Sequence, residues 1–209
     1  MISVLIVDDH DLLRNGLKNL IELEPDMQIA GEAGTAAEAM EILRSCPVDI
    51  TILDLELPDK NGLEVLKDIK NESIDTAVLV LSMHPERRWA KRLIQNGACA
   101  YLSKVKASEK IVTAIRGVYK EGHYITPEVS EVLFNEMAST QKPVIHARLS
   151  DREFEVFILI SQGKTVRQIS EHLTISINTV NTYRRRIYEK TGMTTSEQII
   201  KYALEQKLV

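Results

Sequence analysis

Five side chains of this chain could do phosphorus chemistry if the fold gathered them in one place. Asp8, Asp9 and Asp54 supply three carboxylates, Ser82 a hydroxyl and Lys104 an amine, and each follows an apolar run. Carboxylates crowded together repel one another, so the cluster calls for an opposing cation. An all-oxygen donor set suits Mg²⁺, which binds through one or two carboxylates plus phosphate oxygens and keeps several waters. A carboxylate can attack phosphorus when cations offset the charge spread over the transferring oxygens. Taken singly, Asp8-Asp9 reads as a turn or helix cap and Lys104 as a solvated amine. Five compatible groups at five corresponding positions favour a site.

A second group points elsewhere. The stretch TVNTYRRRIYEKTG sets Arg184, Arg185 and Arg186 side by side in a chain of formal net charge −4. Such a run is ordinarily a solvated helix face. The charge is unevenly divided, however. From Arg148 onward there are 10 basic against 7 acidic side chains, leaving 16 basic and 23 acidic residues in front of it. An acidic front and a basic back imply two domains with different partners.

The elements that must position these groups follow from periodicity. Apolar runs at Ser3–Val7, Gln28–Glu32, Ile50–Leu53, Ala77–Leu81 and Ala100–Leu102 alternate with amphipathic stretches at Leu12–Leu23, Ala36–Arg44, Leu63–Lys70, Glu86–Asn96 and Ser108–Lys120. Strands apolar along their length and separated by helices predict a parallel sheet covered on both faces, a doubly wound α/β domain ending near Gly122. Ligands of such sheets sit outside the carboxyl ends of the strands, where the five groups fall. Pro127 suits the first turn of a short helix carrying Val129, Val132, Leu133 and Met137, and Ala138–Pro143 reads as a tether. Beyond Leu149 the pattern is helical: Asp151–Gln162, Val166–Leu173, Ile177–Thr191 and Ser196–Gln206. Ser150 and Glu153 have capping-box spacing, and Gly163 and Gly192 sit at expected helix ends.

On the Ile177–Thr191 helix, Val180, Tyr183, Ile187 and Thr191 fall on one side. Asn178, Thr182, Arg185 and Glu189 fall opposite, flanked by Asn181 and Arg186, while Arg184 borders the apolar stripe. With Val166–Leu173 before it across a short turn, this is helix-turn-helix geometry, whose second helix enters the major groove of DNA.

Both halves resemble known families. VLIVDDHDLLRNGL, ILDLELPDKNGLEVL, VLVLSMH and GACAYLSK look like the signature blocks of the response-regulator receiver domain, in order, over about the first 120 residues. The resemblance implies a flavodoxin-like (βα)5 receiver at 1–122, with Asp54 as phosphoacceptor. Asp8, Asp9, Asp54 and the backbone carbonyl of Glu56 would hold Mg²⁺, Ser82 and Lys104 would bind the phosphoryl group, and Tyr101 stands at the aromatic switch position. From Leu149 the chain looks like the four-helix DNA-binding domain of NarL/FixJ-type (LuxR-type) regulators, placed at 148–209 after a helical segment and linker at 123–147. The TVNTYRRRIYEK stretch is most similar to the GacA/UvrY branch. Asn181 and Tyr183 stand where many members have Lys and His, and Thr191 replaces a common Leu, so operator sequence is not carried over.

On a recognition helix, Arg185 could reach two acceptors of a guanine edge and Asn181 could pair with adenine. Arg186, Lys164 and Lys190 suit phosphates, and Ser176 and Thr179 could donate hydroxyls near the helix start. The expectation is therefore a two-component regulator, phosphorylated by a sensor histidine kinase and binding double-stranded promoter DNA as a homodimer on paired half-sites. It is no enzyme beyond its own phosphorylation and dephosphorylation. A phosphotransferase of the haloacid-dehalogenase kind would want a second Asp two residues beyond Asp54, where Glu56 stands. No apolar run approaches the roughly 18 residues of a membrane span, and the N-terminus lacks the marks of a signal peptide. Cys46 and Cys99 fit no metal or dithiol spacing, so two buried, reduced thiols in a cytoplasmic protein are expected.

Overall fold

The alternation of apolar runs and amphipathic stretches becomes alternating strands and helices. The computed structural model describes residues 1–83, 86–138, 145–206 and 208–209; the side chains of 86–88, 132, 133 and 135–138 lie outside that description. The chain divides into two compact units, Met1–Ala138 and Ser139–Val209.

In the first unit, strands β1 (Ile2–Val7), β2 (Met27–Ala33), β3 (Ile50–Asp54), β4 (Ala77–Ser82) and β5 (Ala100–Ser103) alternate with helices α1 (Asp11–Glu22), α2 (Ala36–Ser45), α3 (Gly62–Asn71), α4 (Glu86–Gln95) and α5 (Ala107–Glu121). All four strand pairings are parallel, in the order β2-β1-β3-β4-β5. That is the flavodoxin-like order, whose switch point lies between β1 and β3. The central strands are apolar because helices cover both faces: Val4–Val7 and Ile50–Leu53 are buried throughout. Edge strand β2 differs, with Gln28 exposed and its middle only half-buried, since only β1 pairs with it.

Helix α5 stops at Gly122, whose φ of 76° needs the left-handed freedom of glycine. The next helix, α6 (Pro127–Ala138), begins on Pro127 and lies against α4. Thr126 is buried, and its hydroxyl caps α6 by accepting from the Val129 N–H at 3.3 Å. Of the residues expected on the apolar side of α6, Val129 is buried. Val132, Leu133 and Met137 have side chains outside the described residues, as do residues 139–143 of the expected tether.

A 3₁₀ turn at Lys104–Lys106 joins β5 to α5, between the elements expected there. One expectation needs correction, that of two buried thiols. Cys46 and Cys99 are free, as expected, but half-buried. Cys46 caps the end of α2 and Cys99 precedes β5, so both sit at the rim of the core.

The second unit packs α7 (Asp151–Ser161), α8 (Val166–His172), α9 (Ile177–Thr191) and α10 (Ser196–Glu205) around Phe154, Phe157, Ile158, Ile160, Ile169, Val180, Ile187, Ile199 and Ala203. The Ser150–Glu153 capping box starts α7. Between α8 and α9, Thr174 takes a left-handed φ of 52°, a strained position for a β-branched residue. The Ser170 backbone carbonyl accepts from Ile175 N–H at 3.1 Å and the Ser170 hydroxyl donates to the Ile175 carbonyl at 2.5 Å, closing that turn.

Candidate functional site

Register brings the five groups of the first unit to one edge of its sheet. Val7 pairs with Leu53, so Asp8 and Asp54 leave neighbouring strands side by side at the switch point. Ser82, the last residue of β4, pairs with Ser103, the last of β5, and Lys104 follows at once. Asp8, Asp54 and Ser82 are almost fully buried, whereas Asp9 is exposed. The Lys104 ammonium donates to Asp54 Oδ2 at 2.8 Å and lies 2.7 Å from Asp8 Oδ2.

Burial dominates the electrostatics. It pushes the Asp54 carboxyl up to about 6, against the lowering pull of Lys104 and with a further push from Asp8. For Lys104 burial works toward deprotonation, but hydrogen bonds and attraction from Asp54 and Asp8 hold the amine above its ordinary range. One ammonium thus faces two buried carboxylates, leaving the pocket short of positive charge. Asp8 Oδ2 has that one ammonium as its ion-pair partner. Ligand atoms of Asp8, Asp9, His10 and Asp54 all lie within 4.8 Å of one another. An oxygen-rich set of three carboxylates facing one ammonium fits a hard divalent cation.

Three supporting residues escape a reading of residue types alone. Gly62, the first residue of α3, donates to the Leu55 carbonyl at 2.8 Å. A Cβ there would collide with the Asp54 carbonyl oxygen and come within 2.8 Å of Leu55 Cα, so glycine lets α3 start directly against the strand end bearing Asp54. Asp59 accepts from the N–H groups of Ala36 and Ala37 at 2.8 and 3.0 Å, tying the β3–α3 loop to the start of α2. Arg14 donates to the Asp8 carbonyl at 2.5 Å and pairs with Asp11. Their signals were faint: a glycine eight residues past the end of β3, an aspartate in a loop and an arginine in a helix. Glu56 bridges to Asn61 across the same loop, and Tyr101 lies buried in β5 opposite Val80.

In the second unit α9 spans the expected Ile177–Thr191 and ends at Gly192, with φ 75°. Ser176 caps it, accepting from the Thr179 N–H at 3.1 Å, with its hydroxyl 2.8 Å from that of Thr179. Val180 and Ile187 are buried; Asn178, Asn181, Arg185 and Arg186 are exposed together. Thr182 is half-buried and donates to the Asn178 carbonyl at 3.0 Å. Arg184 is engaged along the helix, 5.9 Å over the Tyr188 ring and 3.4 Å from Asn181 Oδ1. Arg185 lies 3.7 Å from Glu189, largely in solvent. Lys164 is half-buried in the turn before α8. Lys190 is drawn away from a purely solvent-facing role: its amine pairs at 2.6 Å with Glu153, which is almost completely buried.

Comparison with known proteins accounts for both units. Residues 4–116 match the response regulator receiver domain, and residues 147–203 match the luxR family of bacterial regulatory proteins. The chain belongs to the response regulators. UvrY of Escherichia coli (strain K12), another response regulator, is 33% identical over 211 residues, covering 100% of this chain and 96% of its own. The response regulator GacA of Pseudomonas aeruginosa is 32% identical over 210 residues, covering 100% and 98%. The RcsB response regulator of Salmonella typhimurium shares the fold, with a TM-score of 0.72 at 22% identity over 98% of both chains. No helix among the described residues of this response regulator is long and apolar enough to cross a membrane.

Proposed function

We propose that this chain is the DNA-binding output protein of a cytoplasmic two-component system, phosphorylated on Asp54 by a sensor histidine kinase. The observation that carries the reading is Asp54 itself: buried at the switch point, paired with Lys104 and beside Asp8, in a chain whose other unit holds a helix-turn-helix. A receiver at 1–122, a helical segment and linker at 123–147 and a DNA-binding domain at 148–209 are the working divisions.

Asp8, Asp9, Asp54 and the Glu56 carbonyl would hold Mg²⁺, which supplies charge to offset the transferring phosphoryl oxygens. Asp54 attacks phosphorus through a carboxylate oxygen, and the donor's leaving group departs on the opposite side. Lys104 and Ser82 are within the same strand-end cluster and suit two of the new phosphoryl oxygens. The acyl phosphate then yields to water, so the mark erases itself, and in this sense alone the chain catalyses anything. Added charge that draws in Ser82 and Lys104 biases the buried Tyr101 on the same sheet edge. Exposure of Asn178, Asn181, Arg185 and Arg186 on one face supports α9 as the major-groove helix, with Thr182 beside them. Ser176 and Thr179 lie at its start and Lys190 in its last turn, and these with Lys164, in the turn before α8, suit phosphates. A single helix-turn-helix reads one half-site, so a homodimer on paired half-sites of promoter DNA follows.

The test is intact mass after incubation with acetyl phosphate. Wild type should gain one phosphoryl group only with a divalent cation, and Asp54→Asn none. Equal labelling of the variant places the acceptor elsewhere.

A further inference from the structure

The loop between β3 and α3, residues 55–61, meets the phosphoacceptor through its backbone. The Glu56 N–H is hydrogen-bonded to the Asp54 carboxylate. The carbonyl of the same residue belongs to the proposed Mg²⁺ set. Both ends of the loop are tied locally: Gly62 donates to the Leu55 carbonyl, Glu56 bridges to Asn61, and Asn61 Oδ1 accepts from the Leu63 N–H at 2.8 Å. The tip is tied to a different element. Asp59 gives one carboxylate oxygen to the Ala36 N–H and the other to the Ala37 N–H, at the start of α2. Helix α2 gains little from this. The Thr35 hydroxyl already caps it by accepting from the Glu38 N–H at 3.2 Å, and Ala37 is exposed, so water can serve that donor. The loop gains more, because α2 is anchored in the core by Ala36, Ala39, Met40 and Leu43. A carboxylate at a helix start is held both by its N–H donors and by the positive end of the helix.

We propose that Asp59 is a positioning residue of the phosphoacceptor pocket, clamping the β3–α3 loop on α2 so that the Glu56 peptide stays where it serves both Asp54 and the cation. The inference rests on the metal-binding reading of that pocket. Without the clamp the loop spends part of its time away from this arrangement. The apparent dissociation constant for Mg²⁺ then rises by the inverse of the fraction that remains competent. Bound Mg²⁺ draws the loop back, so the cost falls on affinity more than on the rate at saturating Mg²⁺.

The experiment measures Mg²⁺ binding by calorimetry, and phosphorylation by acetyl phosphate against Mg²⁺ concentration, in the full-length chain and three variants. Asp59→Ala removes both acceptor oxygens and should weaken Mg²⁺ about tenfold, with a smaller effect on the rate at saturating Mg²⁺. Asp59→Asn loses the charge but keeps one acceptor, and should weaken Mg²⁺ only about threefold. Ala36→Pro keeps the Asp59 charge and removes one of its donors, at a helix position that suits proline, and should also cost about threefold. Equal losses in Asp59→Ala and Asp59→Asn with none in Ala36→Pro would show an effect of charge alone and overturn the proposal. An Asp59→Ala dissociation constant within about twofold of wild type would overturn it too. So would a lowered binding stoichiometry at unchanged affinity, the mark of a residue that only helps the chain to fold. Should wild type bind no Mg²⁺ at all, the metal-binding reading fails first and this inference with it.

Discussion

Replacing Asp54 by Asn should make the metal-free protein more stable. The Asp54 carboxyl is held at about 6 in the folded chain, against 3.8 for the unperturbed group. Folding therefore favours the protonated form, and ionisation of Asp54 opposes it. Below pH ~4 the group is neutral in both states and costs nothing. Between pH ~4 and ~6 the unfolded chain ionises first, so stability falls as pH rises and levels off above the folded value. Two units of displacement correspond to about 3 kcal/mol. The figure already includes the attraction of Lys104, because that attraction helps to set where the carboxyl titrates. Asparagine mimics the protonated group, and Lys104 keeps Asp8. At pH 7.5 in EDTA the Asp54→Asn variant should gain about 3 kcal/mol, roughly 10 °C in melting temperature for a unit of this size. The assay is unfolding followed by fluorescence of Trp89, the chain's one tryptophan, buried in α4 and so reporting on the first unit alone. The gap should shrink to well under 1 kcal/mol at pH 4. Mg²⁺ at about a hundred times its dissociation constant should stabilise wild type by nearly 3 kcal/mol and leave the variant almost unmoved. A gap that persists unchanged at pH 4, or equal stability at pH 7.5, would refute the argument that burial strains Asp54.

Three further outcomes can be checked. Gly62→Ala should destabilise the first unit by about 2 kcal/mol or more, because the Asp54 carbonyl and the Leu55 backbone have nowhere to move; Trp89 fluorescence during urea unfolding measures it. Lys190→Met should cost the second unit about 1–3 kcal/mol by leaving the buried Glu153 carboxylate without its cation, seen as a lowered second transition in calorimetry. Arg185→Ala should cost about 1–3 kcal/mol on the preferred operator and flatten discrimination, whereas Arg186→Ala should weaken all DNA alike and lower the salt slope by about one per half-site. Identical losses in binding titrations on cognate and scrambled DNA at several salt concentrations would show a uniform electrostatic patch instead.

Much of the first unit was legible because its signals are local and repeated. Each strand is a run of four to seven residues, apolar except in edge strand β2, each helix has its own stripe, and their strict alternation leaves little topological choice. Strand order then does the positioning. Once β1 and β3 are neighbours, Asp8 and Asp54 must emerge together, so two residues 46 positions apart could be paired from the sequence. The α9 helix was equally open to reading, since its period places Val180 and Ile187 inward and Arg185 outward whatever the rest of the unit does.

What the sequence hid depends on distances between elements that no periodicity encodes. Gly62 looks like a helix-start residue, and only the approach of α3 to the end of β3 makes a side chain there impossible. Lys190 lies on the DNA helix and reads as a phosphate contact. Its partner Glu153 stands 37 residues earlier in a capping box and is buried by the packing of α7 on α9, so a surface cation is also the counter-ion of a buried carboxylate. His10 shows the same rule at shorter range. Its place beside two aspartates says nothing of reach, and the turn that feeds α1 sets Nδ1 2.7 Å from Asp9 Oδ1 and 3.1 Å from Asp8 Oδ1. Residue type announces what chemistry is available, and strand order announces where. Which cations the carboxylates hold, and which amines remain for phosphates, is decided by side-chain reach of a few ångströms across packed elements. The reading of Lys190 as a phosphate contact therefore has to share that amine with Glu153, where two elements meet.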